Sequence, residues 1–254
     1  MSEDQTQGAH LHEALLNIVY EDADFVAIDK PAGLLVHRSP VDRRETRFAV
    51  QLLRDQLGYY VYPAHRLDKP TSGILLFAKS TQALAAVRQQ FEEQGVRKQY
   101  LALVRGFAPA TLRIEHPVKT RSDDYDTRLS EEPRLGITEL QTLRHYELPV
   151  QIETFASTRY SLVKLSPLTG RRHQLRYHMK HISHPIVGDS SYGKGVHNRY
   201  FQRAFACERL LLMASELVFT HPYTEMSVAI RITPTGVFDY VLKVLGRDYV
   251  VKPA

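Results

Sequence analysis

Tryptophan is absent from this 254-residue chain and cysteine occurs once, at Cys207. A lone thiol excludes an intramolecular disulfide framework. No apolar run approaches the roughly 20 residues that a membrane-crossing helix needs, and the polar first ten residues lack the form of a secretory signal. The expectation is a cytoplasmic protein that makes no contact with a membrane. Neither usual glycine-rich phosphate-binding pattern occurs, and there is no internal repeat and no linker rich in Gly, Ser or Pro. What is present is apolar content of 43%, enough to bury a real core. Thirty-three Lys and Arg against twenty-eight Asp and Glu give a net charge of +5, a mild excess that suits an RNA partner. Ten of the cations crowd two regions: Arg43, Arg44, Arg47, Arg171, Arg172, Arg176, Lys180, Lys194, Arg199 and Arg203.

The segment His65-Arg66-Leu67-Asp68-Lys69-Pro70-Thr71-Ser72-Gly73 sets one carboxylate between two apolar runs, flanked by cations. Tyr59 to Ala64 upstream and Ile74 to Ala78 downstream have the aromatic and β-branched character of strands, and Pro70 and Gly73 punctuate the turn between them. Asp68 is therefore expected at a strand end, on stiff scaffold beside an open loop, where a catalytic acid is well placed. An ordinary turn Asp, or one arm of a surface salt bridge with Arg66 or Lys69, has the same local signature. A second segment, Pro167-Leu168-Thr169-Gly170-Arg171-Arg172-His173-Gln174-Leu175-Arg176-Tyr177-His178, follows the strand-like Tyr160 to Leu165 run. A helical pattern starts after Gly170. In it Leu175, Met179 and Ile182 form one apolar stripe, and Arg172 and Arg176 share another face. Donors gathered at a helix start suit a polyanionic phosphate; a solvated basic helix end reads the same way.

Taken together, these segments closely resemble the two best-known blocks of the RluA-type family of pseudouridine synthases: His65-Arg66-Leu67-Asp68 with Thr71-Ser72-Gly73, and Gly170-Arg171 with His173-Gln174-Leu175-Arg176 and His178. Leu16 to Asp22 and Val26 to Leu34 are similar to the family's opening strands and loop. Lys98-Gln99-Tyr100-Leu101-Ala102-Leu103-Val104 resembles the segment that carries its active-site tyrosine, and His184-Pro185-Ile186-Val187-Gly188-Asp189 its next landmark. These segments in one collinear order are far more specific than any one of them.

The resemblance implies isomerisation of a uridine already within an RNA chain, in which the C1′–N1 bond breaks and C5 bonds to C1′. No metal, nucleotide or redox cofactor is then needed. Asp68 would be the catalytic carboxylate, either attacking C1′ or abstracting a ribose proton, and Arg176 would hold it charged and oriented. Tyr100 would stack near the target base and help remove the C5 proton. Arg66 would fill the space left in the RNA stack when the target nucleotide is flipped out, or else contact phosphate. Arg171, Arg172, His173, Lys194 and Arg199 are the expected RNA contacts. His173, His178, His181 and His184 could suggest a metal, but a spacing of five from His173 to His178 does not put both rings on one helix face, and no carboxylate sits among them. No metal site is expected.

Irregular mixing of strands and helices argues for an α+β fold, and the family's pseudouridine synthase fold, a mixed and mostly antiparallel sheet flanked by helices, agrees. Strands are expected at Phe25 to Asp29, Tyr59 to Ala64, Ile74 to Ala78, Tyr100 to Val104, Tyr160 to Leu165 and Met226 to Ile232. Helices are expected over Glu45 to Leu57, from a Ser80 cap through Gln94, and over Val237 to Leu245 before Gly246. Lys119 to Pro133 reads as a polar surface loop. Residues 1–12 read as a flexible segment and 13–254 as one catalytic domain, without the small S4-like RNA-binding domain that many relatives carry ahead of it. Gly188 to Phe201 resembles the branch that modifies position 65 of transfer RNA, and a monomer acting there is the expected form. The alternatives are a ribosomal RNA synthase of the same family and, from another class, a non-catalytic RNA-binding protein, which would have no use for an arginine-paired carboxylate in an RNA cleft. A two-carboxylate glycosidase lacks its second acid beside Asp68. One departure stands out: Met213 occupies a place where relatives commonly have histidine.

Overall fold

The computed structural model describes residues 15–38, 45–118 and 132–252. Expectations for residues 1–12, for Arg43 and Arg44 and for 119–131 lie outside the described residues. In chain order the elements are β1 (Asn17–Glu21), β2 (Phe25–Lys30), α1 (Ala49–Leu57), β3 (Tyr62–Pro63), β4 (Ser72–Ala78), α2 (Thr81–Glu92), β5 (Arg97–Arg105), β6 (Thr111–Val118), β7 (Arg134–Leu148) and β8 (Thr158–Pro167). They continue with α3 (Gln174–His181), α4 (Gly195–Phe205), β9 (Leu212–Thr220), β10 (Ser227–Arg231), α5 (Gly236–Asp248) and β11 (Val250–Lys252). The strands form one sheet in the order β1-β2-β4-β9-β5-β8-β7-β11, with β3, β10 and β6 paired to β4, β9 and β7. The β4–β9 pairing, Ser72 to Met213 and Gly73 to Ala214, is parallel; its neighbours β2–β4 and β5–β9 are antiparallel. The fold is α+β with a mixed, mostly antiparallel sheet. Among the described residues no helix is long and apolar enough to cross a membrane.

The central strand explains the layering. Ser72 to Ala78 is buried at every position, as an unbroken apolar run requires when both faces of a strand are covered. Leu75 and Phe77 pack with Ala49 and Leu53 of α1, whereas Ile74, Leu76 and Ala78 pack with Ala83 and Val87 of α2. Each such Leu or Phe contributes about 1.5–3 kcal/mol of burial. In the other half, Ala102 and Val104 meet Leu175 and Met179 of α3, while Leu103 meets Phe201 of α4 and Phe238 of α5. Tyr100 packs against both the α1 and the α3 clusters, so those helices flank it on one face of the sheet.

Several boundaries differ from the sequence expectation for local reasons. The helix expected from Glu45 begins at Ala49, because Phe48 first bridges Leu35. The Ala49 and Val50 N–H groups then donate to Leu35 and Val36 carbonyls at 2.8 and 3.0 Å, occupying two donors that a helix start leaves free. The expected Tyr59 to Ala64 strand is reduced to Tyr62–Pro63; Arg54 lies over the Tyr60 ring at 4.8 Å, so the aromatic run is held by a cation rather than by a ladder. The last helix runs through Gly246 to Asp248, because buried Phe238, Val241 and Leu245 outweigh the ~1 kcal/mol a helical glycine costs. Ser80 does cap α2, its hydroxyl accepting from the Ala83 N–H at 3.1 Å. Met213 is buried in the cluster around α4 and α5.

Candidate active site

Asp68 stands between β3 and β4, and three local devices hold it there. The Thr71 N–H donates to the Asp68 carbonyl at 3.0 Å, closing the turn. Gly73, at φ +109°, passes so close to β9 that an added Cβ would lie 2.2 Å from the Ala214 carbonyl oxygen; only glycine can occupy that place. Beneath the turn, the fully buried Lys30 ammonium donates to the carbonyls of Pro31, Leu34 and Lys69 at 2.9, 2.8 and 3.3 Å. Burial, and then the nearby Arg209 charge, pushes the Lys30 pKa down to about 7, with Asp68 and Asp29 pulling the other way. His65 is held neutral: burial, then Lys98, pushes it down to about 4. That suits its Nε2, which accepts the Leu76 N–H at 3.1 Å.

The Asp68 carboxylate faces α3. Its Oδ2 accepts from Arg176 Nη1 at 3.3 Å and lies 3.8 Å from His173 Nε2. Arg176 is itself anchored on the other side, donating from Nε and Nη2 to the two oxygens of Asp189 at 2.7 and 2.9 Å. Burial alone would raise the Asp189 pKa, but its contacts with Arg176 and the N–H groups of Tyr192 and Ser191 carry it below the usual carboxylate value. Asp189 thus fixes the arginine that touches Asp68. The loop before α3 is fixed by Gln174, whose Oε1 accepts from Thr169 Oγ1 and the Arg171 N–H and whose Nε2 donates to Ile137 O and Thr138 Oγ1, all at 2.7–3.0 Å. His173 precedes the helix at φ 55°, so α3 starts at Gln174. Arg172 lies in the preceding turn and does not share a helical face with Arg176, as the sequence pattern had suggested.

These residues surround a cavity of about 750 Å³ lined by Arg66, Asp68, Tyr100, Arg171, Arg172, His173 and Arg176, a size that accommodates a nucleotide. Burial, and then the Asp68 charge, pushes the Tyr100 phenol upward, so it presents a neutral hydroxyl. Lys98, which the sequence reading passed over, also lines the cavity, and burial lowers its pKa. Its signal was its place two residues before Tyr100 on one strand. Asp189 was read only as part of a landmark. Lys194 and Arg199 do not line this cavity: Lys194 lies 3.2 Å from Glu153, and Arg199 is exposed on α4.

The four clustered histidines turn to separate partners. His173 meets Asp68 and Tyr192, His178 meets Thr138 and the His116 carbonyl, His181 stacks on His116, and His184 meets the Arg105 carbonyl. Elsewhere Asp22, Asp24 and His221 bring ligand-type atoms within 4.8 Å of one another. There Asp22 already accepts from two backbone N–H groups and Tyr20, and His221 Nδ1 accepts the N–H groups of Tyr223 and Thr224.

The sequence profile described as RNA pseudouridylate synthase matches residues 24–181, a span that contains Asp68, Tyr100 and Arg176. This chain belongs to the RNA pseudouridylate synthase family. The synthase is 46% identical over 235 residues to a Vibrio cholerae protein named tRNA pseudouridine synthase C, covering 91% of this chain and 96% of that one. A Haemophilus influenzae protein of the same name is 46% identical over 219 residues, covering 85% and 92%. Among solved structures, human RNA Pseudouridylate Synthase Domain Containing 1 superposes with a TM-score of 0.65 at 26% identity, covering 91% of this chain and 95% of that one.

Proposed function

We propose that this synthase converts one uridine of transfer RNA, position 65, to pseudouridine, acting as a cytoplasmic monomer whose residues 13–254 work as one catalytic unit. The observation that carries the reading is the Asp68 carboxylate, set in a nucleotide-sized cavity and held at 3.3 Å by an arginine that Asp189 locks from behind. Isomerisation demands that pairing. The C1′–N1 bond breaks as Asp68 acts at the ribose, the base turns, C5 bonds to C1′, the C5 proton leaves and N1 takes one up. Tyr100 offers a ring for the turning base and a neutral hydroxyl that relays the departing C5 proton to solvent, giving up its own proton as it takes that one. Arg66, exposed beside Asp68, replaces the flipped nucleotide in the RNA stack, and Arg171 and Arg172 face phosphate. Support for a transfer RNA substrate comes from relatives named tRNA pseudouridine synthase C at 43–47% identity and from the Gly188 to Phe201 segment.

The test uses unmodified transfer RNA labelled with tritium at uridine C5, since each turnover releases that hydrogen, followed by mapping of the converted position. One T-arm uridine is expected to react. Asp68→Asn should reduce turnover more than about a thousandfold, the scale on which losing an essential reacting group registers, while RNA affinity holds. Conversion of ribosomal RNA in place of transfer RNA would overturn the substrate, and an active Asp68→Asn protein would overturn the site.

A further inference from the structure

A line of rings leaves the catalytic cavity along α3. His173, beside Asp68, meets the Tyr192 ring edge-on at 5.7 Å, and Tyr192 meets Tyr177 edge-on at 6.1 Å. Tyr177 lies nearly parallel to His116 at 5.7 Å, and His116 stacks on His181 at 3.6 Å with an interplanar angle of 16°. None of the five rings belongs to an apolar core cluster, and His181, at the outer end, is exposed. Core packing therefore does not account for them. Cations accompany the line: Arg176 lies over the Tyr192 ring at 5.2 Å and Lys180 at 5.8 Å. Flat rings beside cations are the equipment with which proteins hold unstacked nucleotides, because every base has a π-face and every linkage a phosphate.

We propose that this strip is a stacking rail for the nucleotides of the substrate RNA next to the flipped uridine, with His116 and His181 as its outer platform. The proposal rests on the RNA-modifying function above and adds the surface that receives the flanking strand. Continuity decides the occupant: the inner end of the strip is His173, 3.8 Å from the reacting carboxylate, so the chain that delivers the uridine to Asp68 is the one within reach. Extruding a base unstacks its neighbours, and a rail that restacks them offsets part of that cost.

Binding of unmodified transfer RNA to the full chain tests this, measured across a salt series for the wild type, His181→Ala, His116→Ala with His181→Ala, and His181→Tyr. Turnover of the wild type on the same RNA is recorded first. Ring removal should weaken binding about 5- to 10-fold, the low end of what losing a stacked base brings, with an unchanged slope of log affinity on log salt, and His181→Tyr should restore it. Stacking releases no counterions, so the slope separates it from a phosphate contact. Unchanged affinity in the folded double variant, or a loss that comes with a shallower salt slope and no rescue by tyrosine, would overturn the rail. A wild type that converts no transfer RNA would instead overturn the function on which the rail depends.

Discussion

Arg176 joins two aspartates whose surroundings are opposite. Asp189 is fully buried, takes two hydrogen bonds from the guanidinium and two more from backbone N–H groups. Asp68 is 24% exposed and, among the described residues, takes one, at the longer distance of 3.3 Å. One carboxylate is saturated with partners and serves as an anchor; the other is left with unused lone pairs facing the cavity. On the function proposed above, the same type of side chain serves as scaffold or as reagent according to how many donors surround it. A reacting group has to be held loosely enough to change partners, and the tight pair behind it supplies the rigidity it gives up.

Breaking each side in turn should separate the two roles. The largest effect on stability is expected from Asp189→Asn, which leaves Arg176 buried without its main counter-charge. A cost of about 3–5 kcal/mol follows, on the order of 10 °C in melting temperature for a chain of this size, whereas Asp68→Asn should melt near the wild type. Equal melting losses would erase the distinction. Next in size is Arg176→Lys, which keeps the charge but cannot reach two carboxylates with a rigid fork. Turnover at saturating RNA should fall roughly 10- to 100-fold with little change in affinity. Normal single-turnover chemistry with collapsed affinity would instead make Arg176 a phosphate contact.

The smallest effect concerns the far side of the Asp68 turn. His65 is held at about 4 in the fold against 6.5 when free, so below 6.5 the unfolded chain binds more protons and stability falls as pH falls toward 4. The loss is about 1 kcal/mol between pH 6.5 and roughly 5.5. His65→Gln, which keeps an acceptor for the Leu76 N–H but cannot titrate, should flatten that part of the curve in melting experiments. A variant as acid-sensitive as the wild type would place the proton uptake elsewhere.

Much of the cavity lining was legible because three of its residues sit inside contiguous blocks: Asp68, Tyr100 and Arg176 each carry their own turn, strand or helix signal. Asp189 was not, because its role exists only through a partner 13 residues away across a loop. Lys194 and Arg199, expected as RNA contacts, lie outside this cavity, and charge carries no information about which side of a helix faces it. Among the elements, α2 could be read from its cap and stripe. The fifteen-residue β7 could not, because two of its inward positions are Thr138 and Thr142, which dilute the apolar alternation that marks a strand. Arg172 is kept out of α3 by His173, whose left-handed backbone has no signature in an HQLR-type motif.

The place of β9 in the sheet sets a schedule. Although β4 and β5 are joined in sequence through α2, they do not pair; β9 lies between them, and its residues are made more than a hundred positions later. During synthesis the Asp68 turn emerges early, but the strand that Gly73 must press against does not exist until residues 212–220 have left the ribosome. Arg176, 108 positions beyond Asp68, can meet its anchor Asp189 earlier, but β4 joins the half of the sheet that carries α3 only through β9. An enzyme that acts on RNA is therefore made in the midst of RNA without a working site, and acquires one only when nearly all of its sheet has closed.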